Sequence, residues 1–191
     1  CGDLVNPAQH DQAVHQLEEA IAAARVVSCE RLIVMSGNTI PGMTRCAHVR
    51  NCIAGLKRLA PMAEKAKVTL VLELLNTRVD HFGYFLDNSE DLAAILRAVD
   101  HPCVKGLYDI YHGGIMEGNV TETIRSNIEI IGHFHAAGIP GRHELMDGEQ
   151  NYRFLCHQID AMGYTGYMGL EYVPLKPSRE SLIETRLWLS P

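Results

Sequence analysis

Apolar residues fall at Val14, Leu17, Ile21 and Ala24 within "NPAQHDQAVHQLEEAIAAARVV". Steps of three and four predict a helix with one face turned to a core. Asn6 stands at its start as a cap, Pro7 suits the first turn and Gln9 the capping-box position. The pattern then changes: "RLIVMSGN" is a short unbroken apolar run ending in Ser and Gly, the mark of a buried strand.

The two modes alternate to the end of the chain. "TRCAHVRNCIAGLKRLAPMAEKA" predicts a helix bent near Pro61, "VTLVLELLN" a strand, and "NSEDLAAILRAV" a helix opened by Asn88 or Ser89. "CVKGLYDIY" predicts a strand, "NVTETIRSNI" a short helix, "EIIGHFHAA" a strand, and "NYRFLCHQIDAMG" a helix closed by Gly163. "GYMGLEYV" and "SRESLIETRLWL" complete five strands and six helices.

Apolar strands alternating with helices imply a parallel sheet built from right-handed crossovers, hence an α/β fold. A doubly wound open sheet calls for a glycine-rich phosphate turn after its first strand, and "RLIVMSGNTIPG" holds no G-x-G-x-x-G. The alternative is a (β/α)8 TIM barrel, which takes about 250 residues. Residues 1–191 are then expected to form a single partial barrel domain of about five βα units. The deficit falls at the N-terminal side, where numbering opens on Cys1 rather than Met and a helix comes before any strand.

Composition narrows the functions. With 47% hydrophobic and 21% charged residues the chain is an ordinary globular domain, and a formal net charge of −6 argues against a nucleic-acid partner. No apolar run approaches the roughly 20 residues that span a bilayer, and "CGDLVNPAQHDQ" lacks a signal-peptide pattern. Cys1, Cys29, Cys46, Cys52, Cys103 and Cys156 form no C-x-x-C, so they are expected to be small core residues in a reduced, cytoplasmic setting.

Candidate chemistry sits at the strand ends. Glu73, Asp109, His135 and Glu171 each fall at the carboxyl end of one of four successive predicted strands, 36, 26 and 36 residues apart, about one βα unit per residue. In a parallel barrel those ends share one rim, so the four side chains meet there. Alone, Asp109 reads as a turn former or helix cap and His135 as a hydrogen-bonded core histidine. Together, three carboxylates near a core repel unless a cation neutralises them. The oxygen-rich set suits Mg²⁺ or Mn²⁺ and tolerates Co²⁺ or Zn²⁺, and an open site leaves positions for substrate oxygens.

"LELLNTRVDHFGYFLD", "YDIYHGGIMEGNV", "GHFHAAGIPGRHE", "GEQNYRFL" and "GYTGYMGLEYVP" together resemble the hydroxypyruvate isomerase family, within the xylose isomerase-like superfamily of β/α barrels. The resemblance implies Glu73, Asp109, His135 and Glu171 as divalent-metal ligands, Glu73 and Glu171 doubling as the acid/base pair, and His112 and Arg142 as substrate-binding groups. It also implies interconversion of hydroxypyruvate and tartronate semialdehyde by enediolate proton transfer. The isomerase proper has Gln where His135 stands and Asp where Gly138 stands, whereas related ketose 3-epimerases use His at the former. A ketose 3-epimerase, or another sugar isomerase or epimerase, is therefore the alternative. A zinc-dependent DNA-repair endonuclease is disfavoured by the acidic balance and a cluster poor in histidine.

An inactive fragment or a metal-retaining binding module is the reading of another class. The expected partner is a small hydroxy-keto acid or sugar, and a homo-oligomer stays open. His133 is expected to support or pack rather than bind. His143 and Glu144 shape their loop, or Glu144 pairs with Arg142. Asn76, Arg78 and His81 lie in a loop that could cover the site, and Glu149 suits a helix start.

Overall fold

The computed structural model describes residues 3–190. Cys1 lies outside them. Five strands, β1 (Arg31–Val34), β2 (Thr69–Glu73), β3 (Val104–Asp109), β4 (Ile131–Ala136) and β5 (Met168–Leu170), pair in sequence order. Every neighbour is parallel, with Val34 opposite Leu72, Glu73 opposite Leu107, Asp109 opposite His135 and Ala136 opposite Leu170. Seven helices alternate with them: α1 (His10–Val26), α2 (Arg45–Ala66), α3 (Ser89–Val99), α4 (Ile110–Met116), α5 (Val120–Asn127), α6 (Tyr152–Ala161) and α7 (Ser178–Leu189).

The sheet is curled. In a flat sheet β1 and β4 would lie about 14 Å apart, three strand spacings, yet the Arg31 Nε on β1 donates to the Gly132 carbonyl on β4 at 3.2 Å. The Arg31 guanidinium also sits 5.3 Å from the Tyr167 ring centroid, just ahead of β5. A cavity of about 400 Å³, lined by Arg31, Ile33, Val71, His133 and Tyr167 among others, opens on this concave side. These strands are an arc of a barrel.

The core lies between strands and helices. α1 buries Ala13, Leu17 and Ile21, α2 buries Cys52, Leu56, Leu59 and Ala63, and Leu70 and Leu72 of β2 join the same cluster. α2 runs unbroken past Pro61 and stops where Lys67 takes a left-handed conformation (φ 58°). Asn88, not Ser89, caps α3 by accepting from the Asp91 amide at 2.8 Å. Asn6 caps a single 3₁₀ turn, Pro7–Gln9, and Gln9 makes no side-chain cap.

One expected strand is shorter than its apolar run. β3 ends at Asp109, and Ile110–Met116 is a helix that the pattern hid. Its glycines disguised it, since glycine disfavours helix interiors. Packing requires Gly113, where a Cβ would strike the buried Tyr108 ring at its hydroxyl; at Gly114 it would meet the movable end of the Gln150 side chain. Among the described cysteines only Cys52 is fully buried, while Cys29 and Cys46 are exposed rather than in the core. Among the described residues no helix is long and apolar enough to cross a membrane.

Candidate functional site

Three strand ends and one residue just past a strand build the site. Glu73 ends β2, Asp109 ends β3, His135 is the next-to-last residue of β4, and Glu171 follows β5. Glu171 keeps strand-like pairing, its amide donating to the Ala136 carbonyl at 3.0 Å. Parallel register aims all four at one point, where one ligand atom from each lies within 4.8 Å of the others. Glu73, Asp109 and His135 are buried and Glu171 is exposed.

Asp109 has two roles at once. One oxygen, Oδ1, accepts from the Tyr111 and His112 amides at 2.7 and 3.2 Å and so starts α4. The other, Oδ2, is buried with no hydrogen-bond partner, as are Glu73 Oε1 and His135 Nδ1. Leaving one buried polar atom unpaired costs about 1–3 kcal/mol, and here three such atoms share one cluster. His135 Nδ1 lies 3.5 Å from Glu73 Oε1 and 3.6 Å from Glu171 Oε2, distances of ionic attraction rather than good hydrogen bonds.

The charges are interdependent. Burial works against a charge on His135, but the facing Glu171 and Glu73 carboxylates outweigh it and raise its pKa to about 9. Burial, then the negative Glu73, raises Asp109 to about 7. His135 and Arg142 hold Glu171 down to about 2 despite partial burial. Three carboxylates and one imidazole nitrogen, with three orphaned atoms converging, suit a hard divalent cation; no thiolate takes part.

Arg142 and His112 border the cluster. Arg142 Nη2 donates to Glu171 Oε2 at 2.5 Å and approaches His112 Nε2 at 3.4 Å, while His112 Nε2 lies 3.6 Å from Asp109 Oδ2. The guanidinium covers the Tyr111 ring at 5.2 Å. Arg142 sits at φ 60° after Gly141 at φ 92°. That left-handed backbone is costly for a side-chain-bearing residue, and it is fixed by Arg142 N donating to the Gly138 carbonyl at 2.9 Å and Val173 N to the Arg142 carbonyl at 2.7 Å. All six residues singled out in the sequence thus come together. Burial, then the positive Arg142, lowers His112 to about 3.

Other residues take different places. His133 stands edge-on to His135, 5.0 Å between ring centroids, and is not one of the four. Glu144 does not pair with Arg142 but accepts from Ser181 Oγ at 2.7 Å and the Leu175 amide at 3.0 Å, strapping the segment after Glu171 to α7. His143 Nδ1 meets the Val173 carbonyl at 2.8 Å. Gly138 has no room for a side chain, since a Cβ would strike the Glu144 carbonyl oxygen. Arg78 reaches the Ile115 carbonyl at 3.0 Å, outside the cluster. The Glu149 amide donates to the Ile139 carbonyl at 2.8 Å.

Sequence reasoning undervalued Asn76 and passed over Asp80 and Tyr111. Asn76 is fully buried, its Nδ2 donating to Asp80 Oδ2 at 2.6 Å, and Tyr111 Oη donates to that same oxygen at 2.8 Å. The signal available was an Asn at the start of a polar turn, a residue type whose side-chain oxygen caps backbone amides a few positions on.

Comparison with known proteins agrees with this fold. The family model described as xylose isomerase-like TIM barrel matches residues 2–190. A human protein provisionally named a hydroxypyruvate isomerase is 35% identical over 178 residues, 91% of this chain and 63% of that protein. A 2-oxo-tetronate isomerase of Cupriavidus necator is 38% identical over 156 residues, 81% of this chain and 59% of its own length. A crystal structure from Brucella melitensis, described as an AP endonuclease of family 2, superposes with a TM-score of 0.87 at 29% identity, covering 94% of this chain and 69% of the other. The chain therefore spans about three fifths of the curated relatives it matches.

Proposed function

We propose that this chain, which belongs to the xylose isomerase-like TIM barrel family, carries the metal and acid/base site of an isomerase acting on a small hydroxy-keto acid. Hydroxypyruvate and tartronate semialdehyde are the substrate pair that the names of its relatives favour most directly. One observation carries the reading. Glu73 Oε1, Asp109 Oδ2 and His135 Nδ1 are buried, unpartnered and converge with Glu171 within 4.8 Å.

Glu73, Asp109, His135 and Glu171 would hold the divalent cation, with Mg²⁺ or Mn²⁺ matching three oxygens and one imidazole better than a thiophilic ion. When bound, it would supply Lewis acidity toward the carbonyl and hydroxyl oxygens of the substrate. The chain's own residues do the rest. Ionised Glu171, held by Arg142, takes the proton from the hydroxyl-bearing carbon, and either it or Glu73 returns a proton to the adjacent carbon. The hydroxyl proton passes to the former carbonyl oxygen, so composition is unchanged. Arg142 and His112 orient the substrate, and a guanidinium suits its carboxylate.

A ketose 3-epimerase is the second reading, favoured by His135 in place of Gln, and it needs the same two carboxylates. The net charge of −6 weighs against a nucleic-acid substrate. The test is proton NMR of hydroxypyruvate and of free ketoses in D₂O with Mg²⁺- or Mn²⁺-loaded protein. Deuterium uptake with isomerised hydroxypyruvate is the expected result, and exchange confined to C3 of a ketose would favour the epimerase. Tight metal binding without exchange on any of them would leave only a metal-retaining module.

A further inference from the structure

Asn76 immobilises the ring of His112 from one side. Its Oδ1 accepts from the Val79 and Asp80 amides at 2.9 and 3.0 Å, and those two donors settle which side-chain atom is oxygen. Nδ2 is therefore the donor, one hydrogen to Asp80 Oδ2 at 2.6 Å and the other to His112 Nδ1 at 2.8 Å. The Asn76 backbone amide donates to the same Nδ1 at 3.1 Å. A ring nitrogen that accepts two hydrogen bonds carries no proton, so the proton of neutral His112 is on Nε2.

That assignment changes the meaning of the far side of the ring. An Nε2–H cannot accept from Arg142, so the 3.4 Å approach of Arg142 Nη2 is a contact between two donors. Asp109 Oδ2, 3.6 Å from Nε2, is too distant to satisfy it. Two donors side by side without a shared acceptor make a seat for one anionic or carbonyl oxygen.

We infer that Asn76 is a positioning residue that fixes His112 as the neutral Nε2–H tautomer, so that His112 and Arg142 present paired donors to a single substrate oxygen. The seat for a substrate oxygen rests on the isomerase reading above; the tautomer rests on geometry alone. Asp80 and Tyr111 extend the device, because the carboxylate that orients Asn76 Nδ2 is itself held by the Tyr111 hydroxyl at 2.8 Å.

Long-range ¹H–¹⁵N NMR of the ¹⁵N-labelled chain, without metal and at neutral pH, reads the tautomer directly. The expected spectrum has a pyridine-type Nδ1 and a pyrrole-type Nε2 for His112, identified by its loss in His112→Gln. A protonated Nδ1 in the wild-type chain overturns the inference. Asn76→Asp keeps the Oδ1 acceptor but sets a carboxylate oxygen against both Nδ1 and Asp80 Oδ2, leaving the backbone amide as the one remaining donor to Nδ1, so the ring proton should be shared between Nδ1 and Nε2; an Nδ1 that stays wholly pyridine-type in the folded variant overturns the role given to the Asn76 side chain. In the metal-loaded chain with hydroxypyruvate, Asn76→Asp should lower kcat about 10²-fold, the size of losing one well-placed donor. Were the wild-type tautomer as expected but Mn²⁺ binding absent, the isomerase reading would fail and the assignment of His112 would stand.

Discussion

Arg142 Nη2 donates to Glu171 Oε2 at 2.5 Å, and the same oxygen lies 3.6 Å from His135 Nδ1. The most exposed member of the four-residue cluster is thus held between a guanidinium and an imidazole, and its position depends on a loop residue rather than on strand geometry. Replacing Arg142 with Ala should free Glu171 and raise its pKa from about 2 toward the ordinary carboxylate range. Mn²⁺ affinity measured by calorimetry should fall about 10- to 100-fold, as for other residues that orient a metal ligand.

Glu171→Gln removes the ionisable oxygen while keeping shape. We expect deuterium exchange on hydroxypyruvate to drop about 10²- to 10⁴-fold, the usual contribution of a proton-transfer group, with some metal affinity left. Near-wild-type exchange in this variant would contradict the role given to Glu171.

Asp109→Asn separates the two tasks of Asp109. The amide oxygen can still accept from Tyr111 N and His112 N, so the start of α4 survives, but no anionic oxygen faces Glu73. Metal binding should be lost while the Tm of the metal-free chain stays level or rises, since burial and the Glu73 charge both oppose ionised Asp109. Asp109→Ala should lose metal and also about 1 kcal/mol of stability with the cap, read as a lower denaturant midpoint.

The pH dependence follows from the raised groups. His135, lifted from 6.5 to about 9, gives the metal-free chain stability that is complete below about pH 6.5 and is lost as pH rises through about 9. Metal competes with that proton, so affinity should climb about tenfold per pH unit between about pH 7 and about pH 9. Below about 7 Asp109 holds a second proton, and the slope should steepen. Calorimetry in buffers of different ionisation enthalpy would count the protons released; a pH-independent affinity would contradict this charge assignment.

Gly169 faces the four-residue cluster through the His135 ring. A Cβ there would lie 2.8 Å from His135 Cδ2, so Gly169→Ala must push the imidazole aside. We expect weaker Mn²⁺ binding with little change in far-UV circular dichroism, because β5 keeps its backbone pairing.

The alternation of apolar runs with amphipathic helices was enough, from residue order alone, for the parallel α/β fold and for placing Glu73, Asp109, His135 and Glu171 at strand ends. Burial on both strand faces and helical periodicity leave direct marks on the sequence. What periodicity could not report was close approach between distant segments. Gly113 looks like a helix breaker until Tyr108 is found where its side chain would be, which is why α4 went unread behind a strand expected to run to Tyr111. Asn76 looks like an ordinary loop residue until the fold brings His112, 36 residues on, to its amide. The left-handed turn at Arg142 and the strap from Glu144 to Ser181 likewise join segments far apart in the chain. Hydrogen-bond direction, and with it the proton on His112, is set by those meetings in three dimensions, because a donor and its acceptor need share no sequence neighbourhood.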